Sequence, residues 1–173
     1  METTGIVRRI DELGRIVIPK EIRRTMRIRE GEELEILMGQ GELVFRKFSA
    51  IKNIENFAEP VARALAEATG GTVAVCDNDT VVSVSGAHKK RLTDRAISDK
   101  AGAAAALRAV KTYAGAERFS VTADGEDVSD KICVAPVVAG GDLYGSIVLF
   151  TDGEKDFMPQ VALSAKFLEA ACV

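Results

Sequence analysis

Histidine occurs once in this chain, cysteine three times and tryptophan not at all, and each scarcity removes a class of chemistry. His88 has no serine or cysteine nucleophile motif beside it, so a catalytic triad cannot be assembled and the residue reads as part of a surface loop. Cys76, Cys133 and Cys172 are odd in number, far apart and set among apolar neighbours such as Val73, Val75, Ile132 and Val134. Neither a disulfide framework nor a CxxC zinc site is available to them, and the thiols are expected to be reduced and buried. Asp77, Asn78 and Asp79 look like a fragment of a calcium loop, but the glycine and distal glutamate of such a loop are missing and a hairpin turn explains them better. No metal and no cofactor is expected. There is also no apolar run long enough to cross a bilayer, and the N-terminus reaches Arg8 and Arg9 without the apolar segment of a signal peptide. The expectation is a cytoplasmic protein with no membrane partner.

What the chain does have is enough apolar sequence, 47% of 173 residues, to bury a core in one or two compact domains. Its formal net charge of −3 hides an asymmetry: residues 1–29 hold eight basic side chains against four acidic ones, leaving about −7 for the remainder. Positive charge is concentrated where it could touch phosphate. Alternating, strand-like sequence gives way to helical periodicity near residues 49–53, which divides the chain into domains 1–52 and 53–173.

In the first domain, residues 4–11, 15–18, 34–38 and 42–48 are rich in β-branched and aromatic side chains and are separated by Gly14, Gly31, Gly39 and Gly41, predicting four strands. Pro19 suits a first helical position, and Ile22 and Met26 lie one turn apart beyond it, predicting one short helix. Four strands and two helical turns cannot offset their own chain entropy without a disulfide or metal. An obligate dimer would resolve this. The second domain opens with Asn53 as helix cap, followed by Ile54, Phe57, Val61, Leu65 and Ala68 at helical spacing up to Gly70 and Gly71. Strands are expected over 72–76 and 81–84, a helical region over 93–113, strands over 118–122, 131–138 and 143–151, and a closing helix over 156–172. The acidic run 124–130 reads as a solvated loop. Hairpin-joined strands with helices collected apart from them indicate an α+β domain with an antiparallel sheet and flanking helices.

The informative motif is Leu13-Gly14-Arg15-Ile16-Val17-Ile18-Pro19-Lys20-Glu21-Ile22-Arg23-Arg24-Thr25-Met26. At about 100° per residue, Lys20, Arg23, Arg24 and Arg27 fall on one face of a helix, opposite Ile22 and Met26. A guanidinium is a planar fork of donors that suits both phosphates and guanine edges in the major groove. Such a face could equally be a solvated charged surface; Arg8, Arg9 and Arg15 on the adjoining strands shift the balance toward DNA.

The run Gly5-Ile6-Val7-Arg8-Arg9-Ile10-Asp11-Glu12-Leu13-Gly14-Arg15, continuing into Ile18-Pro19 and Arg23-Arg24-Thr25, resembles the AbrB-type swapped-hairpin DNA-binding domain. The resemblance covers nearly all of residues 1–50. It implies an all-β dimer barrel with one short helix, in which the two chains exchange hairpins, and DNA contacts by Arg8, Arg15, Arg23 and Arg24. Strand alternation puts Arg8 on the face of Ile6 and Ile10 and by itself nominates Arg9, so the choice between Arg8 and Arg9 stays open. Further on, Val75-Cys76-Asp77, Val82, Val84-Ser85-Gly86 with Lys89-Lys90, and Gly141-Asp142 with Gly145 resemble the C-terminal GAF half of the sporulation regulators in this class. That resemblance implies a nucleoid-associated regulator that activates some genes, represses others and forms a tetramer through its C-terminal helices. In the closing helix, Val161, Ala165, Leu168 and Cys172 form one apolar stripe, and Met158, Ala162 and Ala171 a second that a bundle between subunits would use.

Three functions from different classes are compatible with these features. The first is a sequence-specific transcription regulator whose second domain senses a small molecule or only drives oligomerisation. Sensing would place a pocket between the sheet and residues 93–113, unless the alanines between Ala101 and Ala109 pack that space closed. The second is an antitoxin, which shares the swapped-hairpin fold but ordinarily continues into a short flexible tail, where residues 53–173 here look folded. The third is an enzyme built on the second domain, and no paired carboxylate, metal cluster or phosphate-cradling glycine loop supports it.

Overall fold

The computed structural model describes residues 5–125 and 128–172. The chain divides into two compact units, Met1–Phe48 and Ser49–Val173.

Unit 1 is built from one helix and one hairpin. Helix α1 spans Lys20–Thr25, and strands β1 (Leu34–Met38) and β2 (Leu43–Lys47) pair antiparallel from Leu34 opposite Lys47 to Met38 opposite Leu43. The strands expected over 4–11 and 15–18 do not form within the chain; Thr4 lies outside the described residues. A tight turn is present there, with the Asp11 N–H donating to the Arg15 carbonyl at 3.1 Å and the Gly14 N–H to the Asp11 carbonyl at 3.0 Å. Beyond it the two arms find no ladder partner. A strand is stable only when its backbone groups are paired, and among the described residues no strand pairs with these arms. Pro19 is the only buried residue among those described in unit 1. Val7 (89% exposed), Met38 (87%) and Leu13 (74%) project into solvent with many other apolar side chains. An isolated two-stranded hairpin is marginal at best.

Unit 2 is centred on a five-stranded antiparallel sheet. Helix α2 (Ala50–Asn53) leads into α3 (Glu55–Thr69), then β3 (Thr72–Cys76), β4 (Val81–Ser85), α4 (Lys89–Leu92), α5 (Asp99–Ala106), β5 (Lys111–Ala114), a 3₁₀ turn, β6 (Lys131–Ala139), β7 (Asp142–Thr151) and α6 (Met158–Ala171). The strand order is β4-β3-β7-β6-β5. Because side chains alternate across a strand, the sheet presents two apolar faces. Val73, Val75, Ala135, Ile147 and Leu149 meet Ala58, Ala62 and Leu65 of α3 and Val161, Ala165 and Leu168 of α6. Ala74, Val134, Val148 and Phe150 meet Leu92, Ile97, Ala101 and Ala104 on the other side. The β6 bulge at Val137 and Val138 frees the Val138 N–H, which donates to the Glu169 carboxylate of α6 at 3.2 Å.

Three sequence expectations are corrected in unit 2. The long helix expected to start at an Asn53 cap is α3, whose cap residue is Ile54 and makes no side-chain cap bond; Asn53 instead ends the short α2, which is capped by Ser49, its hydroxyl accepting from the Lys52 N–H at 3.2 Å. The helical region expected over 93–113 shrinks to α5. Ala96 bridges to Thr80 and Ile97 to Thr122, which draws the preceding residues into extended structure, and β5 is recruited as an edge strand by β6. The strand expected over 118–122 is replaced by the 3₁₀ turn Gly115–Glu117 and that single bridge. In the acidic run, Asp124 pairs with Arg95 at 2.9 Å, while Glu126 and Asp127 lie outside the described residues.

Candidate nucleic-acid interface

The cationic side chains of unit 1 separate into two groups by what neutralises them. On the hairpin, Arg46 is paired with Glu35 at 2.7 Å and Lys47 with Glu32 at 2.7 Å. Among the described residues no carboxylate engages Arg8, Arg9, Lys20, Arg23, Arg24 or Arg27. All six are exposed.

Helix α1 brings Lys20, Arg23 and Arg24 into an arc of about 100°. It starts at Pro19, whose carbonyl accepts from the Arg23 N–H at 3.0 Å, and its last turn carries Arg23 and Arg24, where cations oppose the negative end of the helix dipole. Arg27 does not share that face. The helix ends at Thr25, and Arg27 adopts the left-handed region with φ 52°. The Ile28 N–H reaches the Arg23 carbonyl at 2.7 Å and the Arg27 N–H the Arg24 carbonyl at 3.2 Å, the double bond pattern that closes a helix with a left-handed residue. Placing Arg27 by helical rotation failed because no glycine marks this stop.

Arg15 is held in a different way. The Asp11 carboxylate accepts from the backbone N–H of Leu13 (3.0 Å), from the backbone N–H of Arg15 (2.8 Å) and from Arg15 Nε (2.8 Å). The Arg15 backbone N–H, then its guanidinium, hold the Asp11 carboxyl below its ordinary range. Since only Nε is used, both terminal nitrogens of Arg15 remain free to donate outward, the geometry a phosphate or guanine edge needs. Arg8 and Arg9 lie on the unpaired segment before this turn, so strand alternation does not decide between them. Ile22 is half-buried and Met26 is 46% exposed, so the apolar face of α1 is uncovered within one chain.

In unit 2, the space expected to hold a ligand between the sheet and residues 93–113 is filled by Leu92, Ile97, Ala101, Ala104, Tyr113 and Val121 packed on the sheet. A cavity of about 580 Å³ lies elsewhere, beside Thr69, Gly71, His88, Ser129, Asp152 and Lys155. Burial, then the charge of Asp77, pushes the Cys76 thiol up to about 12; Cys133 is buried and Cys172 half-buried, both raised mainly by burial. Among the described residues no group of three histidine, cysteine or carboxylate side chains could hold a metal ion. No helix among them is long and apolar enough to cross a membrane. On α6, Met158 packs against the core and Ala162 and Ala171 are half-buried, so the expected second stripe is not the exposed one. Leu163 (60%) and Phe167 (57%) are the side chains left outward, with Phe57 (57%) on α3. Their i, i+4 spacing was the signal available in the sequence.

Comparison with known proteins agrees with this division. Residues 53–172 match the family described as stage V sporulation protein T C-terminal, transcription factor. Residues 7–47 match the MazE family, antidote-toxin recognition, bacterial antitoxin. The chain is 41% identical over 152 residues to stage V sporulation protein T of Bacillus subtilis, covering 87% of this chain and 85% of that protein. Over 48 residues it is 50% identical to the transition state regulatory protein AbrB of the same organism, 28% of this chain and half of AbrB. Solved structures similar to it include the cyanobacteriochrome receptor PixJ, with TM-score 0.53 and 16% identity over 72% of this chain and 95% of that one. Another is the PixJ GAF domain of Thermosynechococcus elongatus, with TM-score 0.50 and 16% identity over 73% and 86%. At that identity the likeness is one of fold, and unit 2 is GAF-like. The chain therefore belongs to the stage V sporulation protein T family of transcription factors, and it is a regulator of transcription rather than an enzyme.

Proposed function

We propose that this regulator binds double-stranded DNA as a dimer intertwined through unit 1, in the swapped-hairpin manner, with Arg8, Arg15, Arg23 and Arg24 as principal contacts and Lys20, Arg9 and Arg27 as supporting ones. The observation that carries this reading is the coincidence of unneutralised cations with unburied apolar surface in the same 48-residue unit. A second copy would supply the missing ladder partners for the arms around the Asp11 turn and would cover Ile22 and Met26. Each aliphatic side chain so buried contributes about 1.5–3 kcal/mol. The division of labour is between residues 1–52, which hold DNA, and 53–173, with residues 49–52 serving as the joint. Unit 2 joins two such dimers into a tetramer through the outward faces of α3 and α6, where Phe57, Leu163 and Phe167 are exposed. The working compartment is the cytoplasm, on the nucleoid, and both activation and repression of sporulation-type genes are within reach of one assembly.

A small-molecule effector would find its seat in the cavity near His88 and Lys155 rather than against α5. A metabolite screen by thermal shift tests this, since a ligand of the native state raises stability by RT ln(1 + [L]/Kd); if nothing physiological shifts the melting point, sensing is dropped. An antitoxin role has the match over residues 7–47 in its favour, but residues 49–173 form a folded unit where that role would use a tail.

The DNA-binding reading is tested by Arg15→Ala, Arg23→Ala and Arg24→Ala. Specific binding should fall by about 1–3 kcal/mol per half-site for each lost base contact, while stability changes by less than about 0.5 kcal/mol because these side chains are exposed. Normal binding by all three variants, or unfolding of any of them, contradicts it.

A further inference from the structure

Asp77, at the end of β3, is only 6% exposed, and its two carboxylate oxygens are used for different purposes. Oδ1 accepts from the backbone N–H groups of Asp79 (2.8 Å) and Thr80 (2.6 Å) and from the Thr80 hydroxyl (3.3 Å), which builds the β3–β4 turn. Oδ2 turns away from that loop. It accepts from the Ser49 hydroxyl at 2.9 Å and lies 3.5 Å from the Lys52 ammonium. Ser49 is the first residue of unit 2, the cap of α2, and the point where the chain arrives from unit 1. The next two residues, Ala50 and Ile51, are buried. The seat itself is fixed: Asn78 Nδ2 donates to the Leu143 carbonyl at 2.9 Å, and Gly145 lies directly against the Cys76 carbonyl. A hairpin turn needs only the first oxygen; the second is spent on a segment 28 residues earlier.

We propose that Asp77 is a positioning residue for DNA recognition: through Ser49 and Lys52 it fixes the point from which each DNA-binding unit is tethered, and with it the spacing of operator sites that an assembled regulator accepts. This rests on the reading above, in which unit 1 binds DNA and unit 2 joins two dimers. If the latch opens and α2 unwinds, drawing Ala50 and Ile51 from the core, residues 49–53 become free tether, reaching up to about 18 Å at 3.3–3.6 Å per residue. In α2 the same residues span about 7 Å at 1.5 Å per residue, so the slack is about 10 Å against a DNA turn of about 34–36 Å, roughly 0.3 turn and enough to blur the phase between two sites. Effective concentration also falls as the tether outgrows the span it must bridge.

The test uses the full-length protein with Ser49→Ala and Asp77→Asn, alone and together. Ser49→Ala leaves the acceptors of the β3–β4 turn in place and so separates loss of the latch from loss of the turn. Hydrogen exchange at amides 50–54 reports whether the joint is released. Affinity is measured on duplexes carrying one copy, or two copies at varied spacing, of a sequence selected by the protein from random DNA. The unsubstituted protein should show affinity that oscillates with spacing. Both variants should exchange faster at 50–54, keep single-copy affinity, lose about tenfold at the best spacing and show a flattened oscillation. Faster exchange with an unchanged oscillation makes Asp77 merely structural, and unchanged exchange means the latch does not hold the joint; either overturns the proposal. A flat spacing profile in the unsubstituted protein overturns instead the premise of joined dimers, and it is recognisable because no variant is needed to see it.

Discussion

Replacing Arg27 with glycine should make the protein more stable and its DNA binding less sensitive to salt. The backbone at Arg27 has φ 52°, a region that costs an L-residue with a Cβ about 1–2 kcal/mol. It is held there by the pair of closing hydrogen bonds from Arg27 and Ile28 and by Lys47 Nζ, which donates to the Arg27 carbonyl at 3.2 Å. All three use backbone atoms at residue 27 or 28, so Arg27→Gly keeps them. Glycine removes the strain and adds about 0.4–1 kcal/mol of unfolded-state entropy, a net gain of about 0.5–1 kcal/mol per chain. If each Arg27 also meets a phosphate, its loss from both copies of a dimer makes the slope of log K against log salt shallower by about 1.8. Arg27→Ala separates the two effects, since it keeps the strained Cβ but loses the charge: its stability should match the parent and its salt slope the glycine variant. Denaturant unfolding and binding at several salt concentrations supply both readouts. A glycine variant no more stable than the alanine variant refutes the left-handed helix cap, and an unchanged slope removes Arg27 from the DNA contacts.

The turn at Asp11 should respond to acid: its carboxyl is held below the ordinary 3.8, so its contribution is complete above that value and disappears as pH falls through the lower folded one. The amide resonances of Leu13 and Arg15 should then titrate with a midpoint below 3.8, and a midpoint at or above it rejects the pairing. Gly145→Ala should destabilise unit 2 by roughly 1–3 kcal/mol in thermal unfolding, because the added Cβ meets the Cys76 carbonyl and comes within 3.0 Å of the Asp77 Cα, both backbone. An unchanged melting point would mean the strands are not so close. Leu163→Glu with Phe167→Glu should leave unit 2 folded, since both side chains are exposed, and should halve the mass in solution; a mass identical to the parent's shows that assembly uses another surface.

Much of unit 2 was legible because its strands carry their own pattern. Residues 72–76, 131–138 and 143–151 are apolar runs bounded by turn residues, and both faces of the sheet are covered, so the sequence signal and the burial coincide. Over residues 93–122 the expected elements fail because tertiary pairing overrides local preference. Lys111–Ala114 follows an alanine-rich helix and is a strand only because β6 offers it an edge. In unit 1 the reverse holds: the residues around Arg8 and Ile16 have strand composition, yet one chain provides nothing for them to pair with. The cationic face of α1 was readable from spacing as far as Arg24, and Arg27 was lost because a left-handed stop without glycine leaves no mark. Asp77 was recognised as a turn residue through its local oxygen; the partner of the other, Ser49, is distant in sequence and invisible to any local rule.

The distribution of charge bears on the proposed division of labour between the two units. Residues 49–173 carry 13 cationic side chains against 17 anionic ones, and residues 1–48 carry ten against nine. By net charge alone unit 1 would be nearly neutral and a poor ligand for a polyanion. It can still present a cationic face because of which side chains pair: Glu32 and Glu35 are committed to the hairpin and Asp11 to the Nε of Arg15, and among the described residues no carboxylate pairs with Arg23 or Arg24 of α1. In the proposed complex unit 2, at −4, would be repelled by the duplex that unit 1 attracts. At a Debye length of about 8 Å in physiological salt that repulsion matters only near the DNA surface, so an acidic regulatory unit does not weaken binding as long as it is held away from the phosphates. It would suppress non-specific adhesion of that unit to DNA, which on the proposed reading leaves placement of the assembly to the arginines and to the joint that positions them.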